Sequence, residues 1–282
     1  MIPGASSKGG RSVIARWLQQ GPVYARLDKA DAAAQRAMRL AQPNFFLPFD
    51  RSGIDPFTER FPVTLRLEGT VRGTGGLRIV DERCATTLPG LFAAGDAATR
   101  ELICGGFTGG GSHNAAWAMA SGHRAGLGAA GHAQAIGATP RRLHRAGRAA
   151  LAAGRDRPQD PAALIAAVRA EVLPYDRNYF RHADRLEDSL GRLDVLWASL
   201  RMADAATPEA ALRTREAAAM LATARWMYRS ALARRESRGM HRREDAPALD
   251  AAQRHHVTAG GLDAVWTAPR PAAPLPVLEQ AA

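Results

Sequence analysis

At 282 residues and 46% hydrophobic content, the chain is long enough for one large domain or two smaller ones with a real core. Its net charge of +11 comes mainly from arginines that are interleaved with acids, so we expect no nucleic-acid binding. No apolar run approaches a membrane span and the N-terminus lacks the apolar stretch of a signal peptide, so we expect no transmembrane segment. Two cysteines, Cys84 and Cys104, lie too far apart for a metal clip and form no disulfide framework, which predicts no metal site and a cytoplasmic location.

The first part of the chain, residues 1–66, mixes short elements with proline-rich connections. Apolar spacing predicts a short amphipathic helix over residues 12–20 and a second helix over residues 29–40. The run 22–28 between them is interpreted as an extended piece. A proline-rich loop then continues to Pro62.

Residues 67–138 combine predicted strands with a glycine-rich loop. Strands are expected near residues 77–80 and 91–94, followed by the glycine run 105–111 and a helix at about 114–126. An acid at a strand end, a glycine turn and a helix N-terminus together form a cofactor cradle, because glycines admit close approach and helix amides carry partial positive charge. The predicted cofactor contacts are Gly95, Asp96, Gly110, Gly111, Ser112, Asn114 and Ala115. A glycine-rich surface loop is the alternative interpretation of the same residues.

Helical periodicity dominates from residue 139 onward. Leu186, Leu190 and Leu193 follow the spacing of one helix face. Thr207 and Pro208 form a helix start, with the threonine as N-cap and the proline at the first helical position. We therefore expect a bundle of helices to residue 267, with its Trp, Met and Leu side chains in the core, and a disordered tail over residues 268–282.

Several sequence blocks occur together in a fixed order. They are GPVYARLD at 21–28, GGLRIVD at 75–81, PGLFAAGDAA at 89–98 and ESRGMHRREDAP at 236–247. In this order they resemble the succinate dehydrogenase/fumarate reductase flavoprotein family, which includes L-aspartate oxidase and the flavin subunit of adenylylsulfate reductase. The resemblance implies a capping-domain remnant and hinge over 1–66, a partial FAD-binding α/β domain over 67–138 and an α-helical C-terminal domain over 139–267.

The resemblance also implies a cofactor and a reaction type. The family's flavin is FAD, which accepts hydride at its N5 atom. By this likeness Asp96 would hydrogen-bond the ribitol region of FAD, and the amides near Asn114 and Ala115 would face the pyrimidine side of the ring.

One departure from the family concerns the start of the sequence. No G-x-G-x-x-G motif follows an N-terminal strand, although that unit holds the adenosine and pyrophosphate of FAD in this fold. We therefore expect the C-terminal part of a flavoprotein, from a truncated or split gene, that binds FAD weakly and is inactive alone. The expected partners are a separate N-terminal flavoprotein half or an electron-transfer subunit.

Other departures concern the substrate. Val71 stands where the family has a substrate histidine, and Gly109 stands where it has an arginine for the substrate carboxylate. A dicarboxylate needs such fixed cationic partners, so a small-molecule substrate other than fumarate or succinate is expected. The catalytic candidates are Arg72, His113, Arg238 and His241. Each has an alternative role: solvated arginine for Arg72, turn cap for His113, and helix-locking hydrogen bonds for the last two.

Two function classes remain open from the sequence. The first is an FAD-dependent oxidoreductase that is completed by an N-terminal dinucleotide-binding unit. The second is a non-catalytic truncated remnant or interaction module that needs a partner chain. Whether the chain is an enzyme depends on which of them is correct.

Overall fold

The computed structural model describes residues 2–5, 10–65, 76–99, 111–138, 160–200, 207–239 and 241–270. These residues belong to two compact units, one spanning 1–67 and the other 68–282. Helices dominate both units, and the strands are few and short. None of the helices in the described part of the chain has the length and apolar character needed to cross a membrane.

The first unit is a small α/β arrangement. Its helices and strands in chain order are α1 (Arg11–Leu18), β1 (Val23–Ala25), α2 (Ala32–Ala41), α3 (Pro43–Ser52) and β2 (Phe61–Val63). Strands β1 and β2 pair antiparallel, with Val23 opposite Val63. The predicted helices and the predicted extended piece are therefore present, with small shifts in their ends.

Helix α3 lies inside the segment predicted to be a proline-rich loop, so that prediction is wrong there. Pro43 occupies the first helical position, where its missing N–H is no loss, and Gly53 ends the helix with a left-handed φ of 67°. Phe46 of this helix is only 2% exposed, and its ring centroid lies 5.6 Å from that of Phe57. Burial of aromatic surface thus stabilises a helix that its proline content disfavours.

The second unit begins with an irregular segment, residues 76–99, followed by the long helix α4 (Gly111–Ile136). Strands were predicted near residues 77–80 and 91–94, and neither forms. Leu77 makes one isolated parallel bridge with Ala98, and Phe92 makes one isolated antiparallel bridge with Ala85. A strand needs a continuous neighbour to hydrogen-bond, and each of these segments meets only a single bridging residue. The α/β character predicted for residues 67–138 is therefore not seen among the described residues of that segment.

The helical part of the second unit matches the prediction for this region. It comprises α5 (Pro161–Val172), α6 (Ala183–Leu200) and α7 (Pro208–Ala233). Thr207 caps α7, since its Oγ1 accepts a hydrogen bond from the Ala210 N–H at 3.1 Å. The buried core along these helices consists of Leu164, Val168, Leu186, Leu190, Leu193, Trp197, Leu200, Ala217, Leu221, Ala224, Tyr228 and Ala231. Met220 is 40% exposed, so the expectation that every methionine here is core is wrong.

A β-hairpin follows the bundle. Strands β3 (His256–Gly260) and β4 (Trp266–Arg270) pair antiparallel, and β4 includes residues 268–270 that were predicted to belong to the disordered tail. The hairpin is fastened to α7, where the buried Arg225 donates to the Leu262 and Asp263 carbonyls and Trp226 Nε1 donates to Gly261 O at 2.7 Å. These bonds join residues far apart in sequence, so local periodicity gave no sign of them.

Candidate functional site

The predicted cofactor turn is a single 3₁₀ turn, Gly95–Ala97. Gly95 has a left-handed φ of 57°, which favours glycine. The turn is held against residues 76–78, because the Leu77 N–H donates to Ala97 O at 2.7 Å and the Thr99 N–H donates to Leu77 O at 2.9 Å. Gly76 is required for this approach, since a Cβ there would lie 2.9 Å from Ala97 O. Asp96 is thereby exposed at the tip of a fixed turn.

The same turn is fastened to α4. The Gly95 N–H donates to Ser121 Oγ at 2.9 Å, and Trp117 Nε1 donates to Gly95 O at 2.9 Å. Ser121 is fully buried, and its hydroxyl also donates to Trp117 O. The acid-bearing turn therefore lies beside α4, near the helix end at which Asn114 and Ala115 are found.

The described part of α4 begins at Gly111. The N–H groups of a helix's first turn lack an intrahelical acceptor and carry partial positive charge. That first turn runs over Gly111, Ser112, His113 and Asn114, whereas Ala115 begins the second turn. The contacts of Asn114 and Ala115 with a cofactor stay predictions. Gly110 lies outside the described residues.

The second group of predicted residues lies in the loop after α7. Glu236 is completely buried there, and Arg238 binds it in a bidentate manner, with Nε to Oε1 at 2.6 Å and Nη2 to Oε2 at 2.9 Å. Arg234 Nη1 donates to the same carboxylate at 2.7 Å, and the Asp250 N–H donates to it at 2.8 Å. The hydrogen bonds from Arg238 and the other donors lower the pKa of Glu236 to about 2, so this carboxylate is ionised at neutral pH.

His241 is held between a cation and a carbonyl. Arg181 Nη1 lies 2.8 Å from its Nδ1, and Arg234 O lies 3.1 Å from its Nε2. Because an arginine only donates and a carbonyl only accepts, the ring is neutral with its proton on Nε2. Burial, reinforced by the Arg181 charge, lowers the pKa of His241 to about 4. Both ring nitrogens are therefore engaged within the chain.

Arg243 closes the same loop onto α7. Its side chain is 3% exposed and binds Asp245 through two nitrogens, while Nη1 donates to Ala231 O at 2.9 Å in the last turn of α7. A cation at a helix C-terminus interacts favourably with the free carbonyls there. The loop is thus a rigid, ion-paired cap on the bundle, and Arg238 and His241 belong to it.

Comparison with known proteins identifies the family of the chain. The sequence model described as "Fumarate reductase flavoprotein C-term" matches residues 171–266. L-aspartate oxidase from Rhodospirillum rubrum is 32% identical over 232 residues, which cover 82% of this chain and 74% of that protein. This chain belongs to the succinate dehydrogenase/fumarate reductase flavoprotein family.

Solved structures of similar fold come from the same group of flavoproteins. A variant of E. coli quinol fumarate reductase superposes with a TM-score of 0.69 at 21% identity, covering 93% of this chain and 47% of that chain. Adenylylsulfate reductase from Archaeoglobus fulgidus superposes with a TM-score of 0.66 at 16% identity, covering 97% of this chain and 52% of that one. At these identities the likeness shows the fold alone. The chain spans about half the length of the solved flavoproteins it matches.

The structure places most of the candidate residues of this flavoprotein chain in two groups. Gly95 and Asp96 lie beside α4, whose first residues include Ser112, His113 and Asn114, and Arg238 and His241 bridge each other in the loop after α7. Arg72 lies outside the described residues, and the catalytic roles stay predictions. Sequence reasoning missed Trp117 and Ser121, although their spacing of one helical turn places an indole and a hydroxyl on the same face of α4.

Proposed function

We propose that this chain is the flavin- and substrate-facing part of an FAD-dependent oxidoreductase. The observation that carries the proposal is the exposed Asp96 on a turn fastened to α4 by the Gly95 peptide. A carboxylate can accept hydrogen bonds from the ribitol hydroxyls of FAD. The first-turn amides of α4 can donate to the electron-rich edge of the ring. The residues present therefore fit the cofactor that the family implies.

Each part of this chain would have a defined task at the site. FAD supplies a hydride acceptor when it is bound. Asp96 would orient the ribitol chain, and the positive end of α4 would favour negative charge nearby, because the amides are fixed in place before any charge develops. We propose Arg72, His113, Arg238 and His241 as the polar groups nearest the substrate. With Val71 and Gly109 at the family's histidine and arginine positions, the proposed substrate is a small molecule other than fumarate or succinate.

We also propose that a further polypeptide segment completes the site. Helix α4 contains one charged residue, Arg124, and exposes 72% of Met119 and 50% of Leu127. Exposed apolar surface of this kind often marks an interaction surface. The solved fumarate reductase chain is about twice as long as the region that this chain matches. A dinucleotide-binding unit, on a separate chain or in the same polypeptide, would cover this face and hold the remainder of FAD.

We propose a cytoplasmic location on the basis of the two cysteines alone.

A second function is favoured by one observation. In the loop after α7, Arg238 is committed to the buried Glu236, and both nitrogens of His241 are engaged. In this second reading Arg238 and His241 only stabilise the helical domain, and the chain is a non-catalytic interaction module. Flavin binding distinguishes the two functions, because an oxidoreductase of this family needs FAD and an interaction module does not.

The test of the proposed function is an FAD titration of the full chain. It is carried out alone and together with the dinucleotide-binding unit, by flavin absorbance and by the change in absorbance on chemical reduction. We expect weak binding alone and stoichiometric, reducible FAD in the assembly. Failure of the assembled protein to retain any FAD would contradict the oxidoreductase function and favour the interaction module.

A further inference from the structure

The backbone N–H and C=O groups of Gly95 are both hydrogen-bonded to side chains on one face of α4. Its N–H donates to Ser121 Oγ at 2.9 Å, and its C=O accepts from Trp117 Nε1 at 2.9 Å. Trp117 and Ser121 are four residues apart, so they lie one above the other on the helix. These two side chains and the Gly95 peptide are called the clamp below.

The clamp leaves little freedom to the hydroxyl group. Ser121 is fully buried, and its Oγ–H donates to Trp117 O while its lone pair accepts the Gly95 N–H. Its donor and one acceptor site are therefore both used, and the orientation of the hydroxyl is determined. By comparison, the hydroxyls of Thr214 and Thr223 on α7 each donate to a carbonyl of their own helix, as Thr223 Oγ1 does to Ala219 O at 2.8 Å. The second bond, to a loop peptide, distinguishes Ser121.

The next residue after the clamped peptide is Asp96. A turn of three residues has few internal hydrogen bonds, and Gly95 occupies a left-handed conformation that glycine reaches easily and leaves easily. A carboxylate on such a turn keeps a fixed place relative to the α4 amides only if its backbone is held from outside. The hydrogen bond from the Leu77 N–H to Ala97 O restrains one side of the turn, and the clamp adds a restraint from the same helix that presents the amides.

We propose that Trp117 and Ser121 are positioning residues of the flavin site, acting through Gly95 to set Asp96 at a fixed distance from the N-terminal amides of α4. This inference rests on the proposed FAD function. In this arrangement neither Trp117 nor Ser121 contacts the ribitol hydroxyls or the flavin ring of FAD. Their effect on the cofactor is transmitted only through the Asp96 carboxylate and the backbone of its turn.

The test uses the full chain, with the dinucleotide-binding unit present for flavin measurements. Ser121→Ala removes the acceptor for the Gly95 N–H, and Ser121→Thr retains the hydroxyl. Trp117→Phe removes the indole donor to Gly95 O and keeps a ring, while the Ala98 N–H still donates to that carbonyl at 3.2 Å. Trp226→Phe is the matched control, because Trp226 Nε1 donates to the carbonyl of another left-handed glycine, Gly261. Thr223→Ala is the control for loss of a helix hydroxyl.

We expect Ser121→Ala to accelerate hydrogen exchange of the Gly95 amide about ten-fold, the equivalent of one lost hydrogen bond. The FAD dissociation constant should rise by about the same factor in Ser121→Ala and in Trp117→Phe. Ser121→Thr should restore both values towards wild type, and both controls should leave them unchanged. Unaltered exchange in Ser121→Ala would overturn the clamp, and faster exchange with unaltered FAD affinity would overturn its positioning role.

A double variant separates positioning from a general loss of structure. If Ser121 acts through Asp96, then Ser121→Ala added to Asp96→Ala should weaken FAD binding no further than Asp96→Ala alone. Additive losses would contradict the inference. Absence of FAD from the unmodified assembly would instead remove the proposed function, and it would be seen before any variant is made, whereas the hydrogen-exchange measurement needs no flavin.

Discussion

At the residue scale, the loop after α7 shows how burial fixes the protonation state of an ionisable group. His241 accepts from Arg181 and donates to Arg234 O, and its pKa is lowered to about 4 from an ordinary value of 6.5. Glu236, a few residues earlier, is ionised because Arg238 and Arg234 bind it directly. A neutral histidine and an anionic glutamate thus stabilise the same loop by different means.

The depressed pKa of His241 predicts a loss of stability in mild acid. Between pH 6.5 and 4 the unfolded chain binds the histidine proton and the folded chain does not, so the free energy of unfolding falls as the pH falls. From pH 7.5 to 5 the loss should be about 1–2 kcal/mol, allowing for partial exposure of the ring. Urea unfolding at both pH values measures it. His241→Gln should reduce this pH dependence, and an undiminished loss in that variant would assign it to other groups.

Removal of the buried negative charge should be much more costly. Glu236→Gln removes the fully buried counter-charge of Arg234 and Arg238, and we expect the free energy of unfolding to fall by about 2–4 kcal/mol. The matched control is Glu216→Gln, because the ion pair of Glu216 with Arg213 is exposed on α7. This substitution should lower the free energy of unfolding by less than about 0.5 kcal/mol. Chemical denaturation compares the two. Equal effects would show that burial of Glu236 has no energetic consequence.

The sequence could identify Arg238 and His241 as members of a family block, and it could not supply their partners. Arg181 meets His241 across 60 positions of sequence, and Asp250 meets Glu236 across 14. Such pairs depend on how the bundle packs, and no local pattern encodes them. Thr207 is the opposite case, because an N-cap acts within its own helix and was predicted correctly.

At the element scale, α4 is distinguished by its glycines. A Cβ at Gly128 would lie 2.6 Å from a ring carbon of Phe92 and 2.9 Å from Arg83 O, so the helix packs closely on the segment that leads to the Asp96 turn. A Cβ at Gly126, two residues earlier, would meet nothing within 4 Å. One glycine therefore serves packing, and the other has no contact in the described part of the chain that explains it.

This difference predicts opposite results for the same substitution. Gly128→Ala should destabilise the protein by about 1–3 kcal/mol, because backbone and ring must shift to make room. Gly126→Ala should stabilise it by up to about 1 kcal/mol through helix propensity. Thermal unfolding of both variants measures the pair. Stabilisation by Gly128→Ala would contradict the close packing of α4 on residues 83–92.

Element prediction from the sequence succeeded where a helix has its own apolar periodicity, as in α6, or its own cap, as in α7. It failed for α3, where buried phenylalanine rings outweigh the prolines, and for the β3–β4 hairpin, whose stability depends on Arg225 of α7. It also placed strands at residues 77–80 and 91–94, where the described residues form only single bridges. In each failure the interaction that determines the structure joins the element to residues outside it, so the pattern within the element does not reveal it.

At the scale of the whole molecule, the chain spans about half the length of the solved flavoproteins it matches. Among the described residues, α4 exposes 72% of Met119 and 50% of Leu127, and Arg124 is the one charged residue of this helix. Surfaces of this kind promote association in water. The proposed dinucleotide-binding unit would bury this face.

We expect the purified chain to self-associate through that face when it is alone. The double substitution Met119→Glu and Leu127→Glu should shift it towards monomer in sedimentation experiments, because charge opposes burial of the helix. Leu212→Glu, at a residue 58% exposed on α7, is the control and should have little effect. A chain that is already monomeric at high concentration, or an equal effect of the control, would contradict this role for α4.

The most direct test of the central claim is the FAD affinity of Asp96→Ala compared with Asp188→Ala, an exposed acid on α6. Both variants lose one negative charge, and only the first loses the carboxylate that the fastened turn presents. In the assembled flavoprotein we predict at least about a ten-fold rise in the dissociation constant for Asp96→Ala, from hydrogen bonds to a charged group worth about 1.5–3 kcal/mol, and no change for Asp188→Ala. Equal affinities in the two variants would contradict the assignment of Asp96 to the flavin site.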